Sequence, residues 1–237
     1  MILYANGCSH TAAAEAVVPY CFAEDDGNIP NNHLLGRIPH PANLAASWCS
    51  HVNQALNTEL VCDAESASSN DRIIRTTRQW LDGNHDKWRD TFMIIQWTSW
   101  EREEWFHSGQ WYQVNASGID IVPPELEQRY RDYVLNVDWN HKTDLAHNQI
   151  WDLHCRLRDW GIRHLFYNSW STFSDIPTDL QHDWGNSYIA PYDREGSYAA
   201  VLRQNGCAYT KGYHFGADGH RLWANYVLQY IKTNNLV

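Results

Sequence analysis

The chain lacks any apolar run approaching the roughly 20 residues that a bilayer-crossing helix needs. That excludes a helical membrane protein. Metal-site cysteine pairs are missing as well: Cys8, Cys21, Cys49, Cys62, Cys155 and Cys207 are scattered, with no C-x-x-C and no zinc spacing, and read as reduced thiols. Positive charge is scarce, 18 Lys and Arg against 28 Asp and Glu for a net charge of −10, which argues against nucleic acid, anionic lipid or a polyanionic substrate. Repeats and low-complexity tracts are absent. The opening Met1-Ile2-Leu3-Tyr4 carries no basic leader or cleavage pattern, so the expected location is cytoplasmic.

What the chain has in excess is aromatic: 13 Trp and 13 Tyr in 237 residues. Trp97, Trp100, Trp105, Trp111 and Tyr112 crowd into one segment, either as faces for sugar rings or acyl groups or as a small core under a long loop. Asn115-Ala116-Ser117 matches a glycosylation acceptor but reads as an ordinary polar loop. A length of 237 residues with 43% hydrophobic content fits one domain spanning residues 1–237.

Strand-length apolar runs occur at residues 2–5, 60–62, 92–97 and 164–167, each followed by helical periodicity, which predicts the βα alternation of a mainly parallel sheet. Predicted helix faces are Leu44, Trp48, Val52 and Ala55; Ile73, Ile74, Thr77, Trp80 and Leu81; and Ile150, Leu153, Leu157 and Trp160, stopped by Gly161. Leu222, Trp223, Tyr226, Val227, Tyr230 and Ile231 mark the last helix. Three long irregular stretches, 18–40, 105–139 and 170–195, are expected as binding loops. In open parallel sheets ligands bind beyond the strand carboxyl ends, where Ser9, Ser69, Thr98 and Ser99 are expected.

Ser9 follows the first strand and precedes Thr11-Ala12-Ala13-Ala14, read as a short helix whose N–H groups would face a developing oxyanion; a plain N-cap is the alternative. Cys8 ranks below Ser9 as a nucleophile because its side chain should turn toward the sheet. A serine needs a base, and His214 and His220 near the C-terminus are the candidates.

Gly7-Cys8-Ser9-His10 resembles the first block of the SGNH or GDSL serine hydrolases, with Cys8 in place of Asp. His214-Phe215-Gly216-Ala217-Asp218-Gly219-His220 resembles their last block, and Ala67-Ser68-Ser69-Asn70 their second, with Ala67 at the Gly position. Ile94-Ile95-Gln96-Trp97-Thr98-Ser99 stands where the third block falls, without its Asn. The resemblance implies a flavodoxin-like, three-layer α/β/α fold and an esterase. Ser9 would be the nucleophile, His214 the base and N–H groups near Ser9 and Ala67 the oxyanion hole, with no metal or cofactor. The family places an Asp three residues before the catalytic His, where this chain has Lys211, so a backbone carbonyl or a loop acid such as Asp183 or Asp193 must orient His214. A missing oxyanion donor costs roughly 3 to 4 kcal/mol, which Asn70, Thr98 or Ser99 would offset. Asn70 fits a helix N-cap equally well.

Arg102, in the run Glu101-Arg102-Glu103-Glu104 read as a solvated helix start, is a candidate substrate contact together with Trp97 and Trp100. His147 and His154 lack a companion acid and do not read as a zinc site. His10 would shape its turn, and His220 would cap or pack. Two functions stay open: an esterase for a small-molecule or glycan ester, carbohydrate O-acetyl groups included, or a binding or structural protein on the same scaffold that recognises glycans through residues 97–112.

Overall fold

A computed structural model describes residues 1–116 and 122–237; Ser117, and with it the end of the Asn115 motif, lies outside the described residues. Four parallel strands, β1 (Ile2–Asn6), β2 (Glu59–Cys62), β3 (Thr91–Trp97) and β6 (Arg163–Asn168), form one sheet in the order β2-β1-β3-β6. The predicted parallel sheet is therefore present. β1 and β3 are central and buried along their whole length, as expected of continuous apolar runs covered on both faces.

Side-chain alternation splits the core in two. Leu3, Ala5, Phe92, Ile94, Leu165 and Tyr167 point to one face, where α3 (Trp48–Leu56), α7 (Tyr198–Gln204) and α8 (Ala217–Thr233) cover them. Tyr4, Met93, Ile95, Trp97 and Phe166 point to the other, under α4 (Asn70–Gly83) and α6 (Trp139–Asp159). The predicted α4, α6 and α8 stripes make these contacts, except that Trp160 and Tyr226 are exposed and lie outside both clusters. Leu44, Trp48 and Val52 also pack on the sheet, but from two helices, because Ser47 ends the short α2 (Pro41–Ala45) and caps α3 by accepting from Ser50 N; Ala55 is exposed. Gly161, at φ 70°, ends α6 as predicted.

Three expectations fail. The Thr11-Ala12-Ala13-Ala14 stretch is a series of turns rather than a helix, because Ala13 (φ 53°) and Glu15 (φ 61°) are left-handed and the chain doubles back. Residues 105–139 are not a plain loop: β4 (Glu103–His107) and β5 (Gln110–Val114) pair as an antiparallel hairpin, and α5 (Glu127–Asn136) follows. Ser108 and Gly109 both have positive φ, the backbone that a two-residue hairpin turn demands. The acidic run is consequently a strand start, not a solvated helix. Glu104 is almost wholly buried, paired through both oxygens with Arg75 (2.6 and 2.7 Å) and accepting from Gln113 Nε2 at 2.7 Å. Trp105, Val114, Leu126 and Tyr130 make the hairpin's own small core with Tyr112 packed against it, whereas Trp111 is 48% exposed. Among the described residues no helix is long and apolar enough to cross a membrane.

Under α6, four imidazoles join the aromatic core. His164 Nδ1 donates to Ile162 O at 2.9 Å, so its Nε2 accepts from His154 Nδ1 at 2.9 Å; His147 and His182 stack with centroids 4.3 Å apart. Burial holds His147, His154 and His164 down to about 4. In the unfolded chain the same groups titrate near 6.5, so between about pH 6.5 and pH 4 the unfolded state binds more protons and stability falls as pH falls. Thermal melts across that window should show the midpoint dropping, and His154→Phe, which keeps the ring but cannot protonate, should flatten the drop. An unaltered slope would show that this cluster does not govern acid stability.

Candidate active site

Asn6, the last residue of β1, is a buried clamp: its Nδ2 lies within hydrogen-bond distance of Tyr4 OH, Ile73 O, Thr76 Oγ1 and Thr77 Oγ1, and its Oδ1 accepts from Gly7 N at 2.8 Å. This pins the start of the Ser9 loop to α4. Gly7 is tight against β3: a Cβ there would stand 2.4 Å from Thr11 Oγ1 and 2.9 Å from Gln96 Cβ, so no larger residue fits. Gln96 completes the frame by accepting from Thr11 Oγ1 (2.7 Å) and donating to Cys8 Sγ (3.0 Å). Cys8 is thus buried toward the sheet, as expected, while Ser9 sits at the beginning of the turns.

Glu15 closes those turns. Its Oε2 accepts from Thr210 Oγ1 at 2.7 Å and Gly212 N at 3.0 Å, and lies 2.9 Å from His214 Nδ1. Burial opposes its charge, but the hydrogen bonds from His214, Thr210 and Gly212 together hold the carboxyl below its ordinary range. Ala217 N donates to Ala16 O at 3.2 Å, a second tie between the Ser9 loop and the segment carrying His214. Neither loop acid named in advance plays this part. Asp183 and Asp193 accept from the backbone of Gly185 and Glu195, and Lys211 is exposed.

His10 lies edge-on to His214 with ring centroids 5.5 Å apart, and its Nε2 accepts from Trp170 Nε1 at 2.7 Å. Burial, with His214 next, pushes the His10 imidazole well below its usual value, so it is neutral with its proton on Nδ1. His220 is fully buried; burial drives it down to about 3, and its Nδ1 accepts from Trp48 N at 3.3 Å, satisfying an orphan donor at the start of α3. It is a cap, as read. Between Ser9 Oγ and His214 no hydrogen bond is formed among the described residues; the serine hydroxyl donates only a long contact, to Cys8 Sγ at 4.0 Å.

The second loop runs beside the first: Asp63 N donates to Ala5 O and Glu65 N to Gly7 O. Ala67 adopts φ 66°, the conformation that favours glycine, which accounts for the residue type at that position in the resembling block. The N–H groups of Ser9 and Ala67 donate to no other group among the described residues and are free to meet an oxyanion. Ser69, not Asn70, is the N-cap of α4, accepting from Arg72 N at 3.2 Å. Asn70 instead grips the Thr98 backbone, donating to its O (3.2 Å) and accepting from its N (2.9 Å), so Thr98 N–H is spent and only the buried Thr98 Oγ1 lacks a partner. Ser99 is half-buried, its carbonyl accepting from Arg102 N.

Arg102 reaches the site, donating to Ser68 O at 3.3 Å while its Nε has no partner. Trp97 does not: it is wholly buried against Phe166, so its expected role as a substrate contact is replaced by one in the core. Trp100 is 5% exposed, stacked flat on Phe173 with centroids 4.6 Å apart, and offers a substrate only an edge. His147 and His154 belong to the imidazole cluster, and no metal-competent group of His, Cys, Asp or Glu occurs among the described residues. Glu15, Gln96, Thr210 and Trp170 went unnoticed in the sequence. Glu15 alone carried a signal there, as the first carboxylate after Ser9.

No protein-family profile, curated protein or solved structure matches the chain. The arrangement holds the His214 imidazole through Nδ1 on Glu15, a residue of the turns that begin at Ser9, and leaves the Ser9 and Ala67 N–H groups without a partner among the described residues. Because Glu15 is depressed in the folded state, its contribution is full above the ordinary carboxyl range and is lost as pH falls through its folded value. Glu15→Gln should therefore cost about 1–3 kcal/mol at pH 7 in urea unfolding, with the gap to wild type shrinking toward acid pH. A gap independent of pH would show that the carboxylate charge is not what holds this segment.

Proposed function

We propose that the chain is a serine esterase of the SGNH type, on a flavodoxin-like three-layer α/β/α arrangement, acting on a small-molecule or glycan ester. The hydrogen bond from His214 Nδ1 to Glu15 carries this reading. It fixes the imidazole proton on Nδ1, leaves Nε2 basic, and supplies the carboxylate that Lys211 had left missing. Ser9 Oγ attacks the ester carbonyl as His214 Nε2 takes its proton. The tetrahedral oxyanion is met by the Ser9 and Ala67 N–H groups, with Thr98 Oγ1 as a third donor. Collapse expels the alcohol, protonated by His214, and leaves an acyl group on Ser9. Water then attacks, His214 accepting its proton, and the acid leaves with Ser9 restored. The chemistry calls for no metal, cofactor or nucleic acid, and the cytoplasm is its expected setting.

The open Ser9 to His214 contact favours one other reading, an SGNH-like binding protein without catalytic competence. Hydrogen bonds between nucleophile and base are often long without substrate and tighten on binding, so the open contact is compatible with the enzyme. A fluorophosphonate probe separates the two. Wild type should be labelled and Ser9→Ala should not. Glu15→Gln should lower kcat on p-nitrophenyl acetate by about 10²- to 10⁴-fold with KM little changed. Labelling that persists in Ser9→Ala, or no labelling of wild type, overturns the esterase.

A further inference from the structure

A groove of about 780 Å³ runs between the first turns of α6, residues 170–180 and residues 194–203, a volume within the ~300–1,000 Å³ of small-molecule sites. Trp170 lines it, and the Trp170 indole N–H is the group that donates to His10, so the groove begins at the candidate active site. Buried polar atoms with no partner lie on residues next to its lining: Ser169 Oγ beside Trp170 in sequence, Thr98 Oγ1 two residues before Trp100, and Nδ1 of His10, the ring that accepts from Trp170; all three residues are no more than 4% exposed. Buried donors and acceptors left unpaired cost about 1–3 kcal/mol each unless something occupies them. Their grouping at the ends of β1, β3 and β6 marks where a ligand's polar atoms would go.

The lining says which ligand. Trp139 and Trp170 are 52% and 37% exposed, Trp170 with Tyr209 stacked on it at a centroid distance of 5.8 Å, and the lining around them carries neutral polar groups such as Asn140, Thr143 and Thr172 and the apolar Leu180. An acyl chain would need an apolar tunnel. A polyanion would need a positive wall, yet Asp144, Asp175 and Glu195 stand in the lining against Arg194 and Arg203, and Arg194 is taken by Asp175 (2.7 Å) and Ser174 (2.8 Å). Apolar faces interspersed with neutral donors and acceptors match the pyranose ring, which has an apolar C–H face and an equatorial belt of hydroxyls. We infer that this groove is a cleft for a neutral oligosaccharide, seated on Trp139 and Trp170 so that an ester on the sugar reaches Ser9. The assignment takes its ester from the esterase reading, but its test does not depend on catalysis.

Calorimetric titration of Ser9→Ala protein with xylotetraose, cellotetraose and chitotetraose should give saturable binding to at least one. For that saccharide, adding Trp139→Ala should weaken Kd by about tenfold, Trp139→Phe should recover part of the loss, and Trp111→Ala, at an exposed indole outside the groove, should leave Kd unchanged. Thermal melts of each variant check that the fold is intact. Tetragalacturonate, a polyanion, should not bind. No saturable binding to any neutral saccharide, loss in Trp111→Ala instead of Trp139→Ala, or tighter binding of tetragalacturonate overturns the cleft. Fluorophosphonate labelling without saccharide binding removes the cleft alone, whereas saccharide binding without labelling removes the esterase alone.

Discussion

One carboxylate joins the two ends of this molecule. Glu15 gathers donors from Thr210, Gly212 and His214, and without it the segment bearing His214 would keep, among the described residues, one hydrogen bond, Ala217 N to Ala16 O, and the packing of His10 to tie it to the loop that carries Ser9. Charge-assisted hydrogen bonds are roughly twice as strong as neutral ones, and three of them converging on one oxygen outweigh the cost of partly burying it. The depressed carboxyl is the electrostatic trace of that balance. Everything proposed about a reaction passes through this contact, since it selects the tautomer and the position of the imidazole.

The sheet gives Glu15 something firm to act from. Asn6 fastens the carboxyl end of β1 to α4, Gly7 lets the chain pass against β3, and Gln96 holds both Thr11 and Cys8. A turn built this way has little freedom, as expected of a reactive group mounted on a rigid element. The hairpin serves the second loop in the same fashion. Gln113 accepts from Ser69 N at 3.0 Å while donating to Glu104, which holds Arg75, so the start of α4 beside Ala67 is braced from outside the sheet.

How much of this could be read from the sequence follows from the range of the interactions. β1, β3, β6 and α8 were legible because their apolar patterns are local and long, and Gly161 because a helix stop needs only one residue in the left-handed region. His214 and Ala67 were picked out by short motifs. Glu15 was not, because a carboxylate that accepts from a histidine 199 positions away leaves no local pattern. The hairpin was hidden by its charge: Glu103 and Glu104 look solvated until Arg75 and Lys142 are brought to them by α4 and α6. Trp97 misled for the opposite reason. Its neighbours are polar in sequence, yet strand alternation turns it into the core, whereas Trp111, Trp139 and Trp170 stay exposed.

The 199-residue span between Glu15 and its histidine also has a temporal side. During synthesis the Ser9 turn, β1 and most of the sheet are complete long before residue 214 emerges, and throughout that interval Glu15 has no imidazole to hold. A loop closed over such a distance forms late, after the core has paid most of the entropy of bringing its ends together. On the proposed mechanism, a chain truncated before residue 214 keeps its serine without a base.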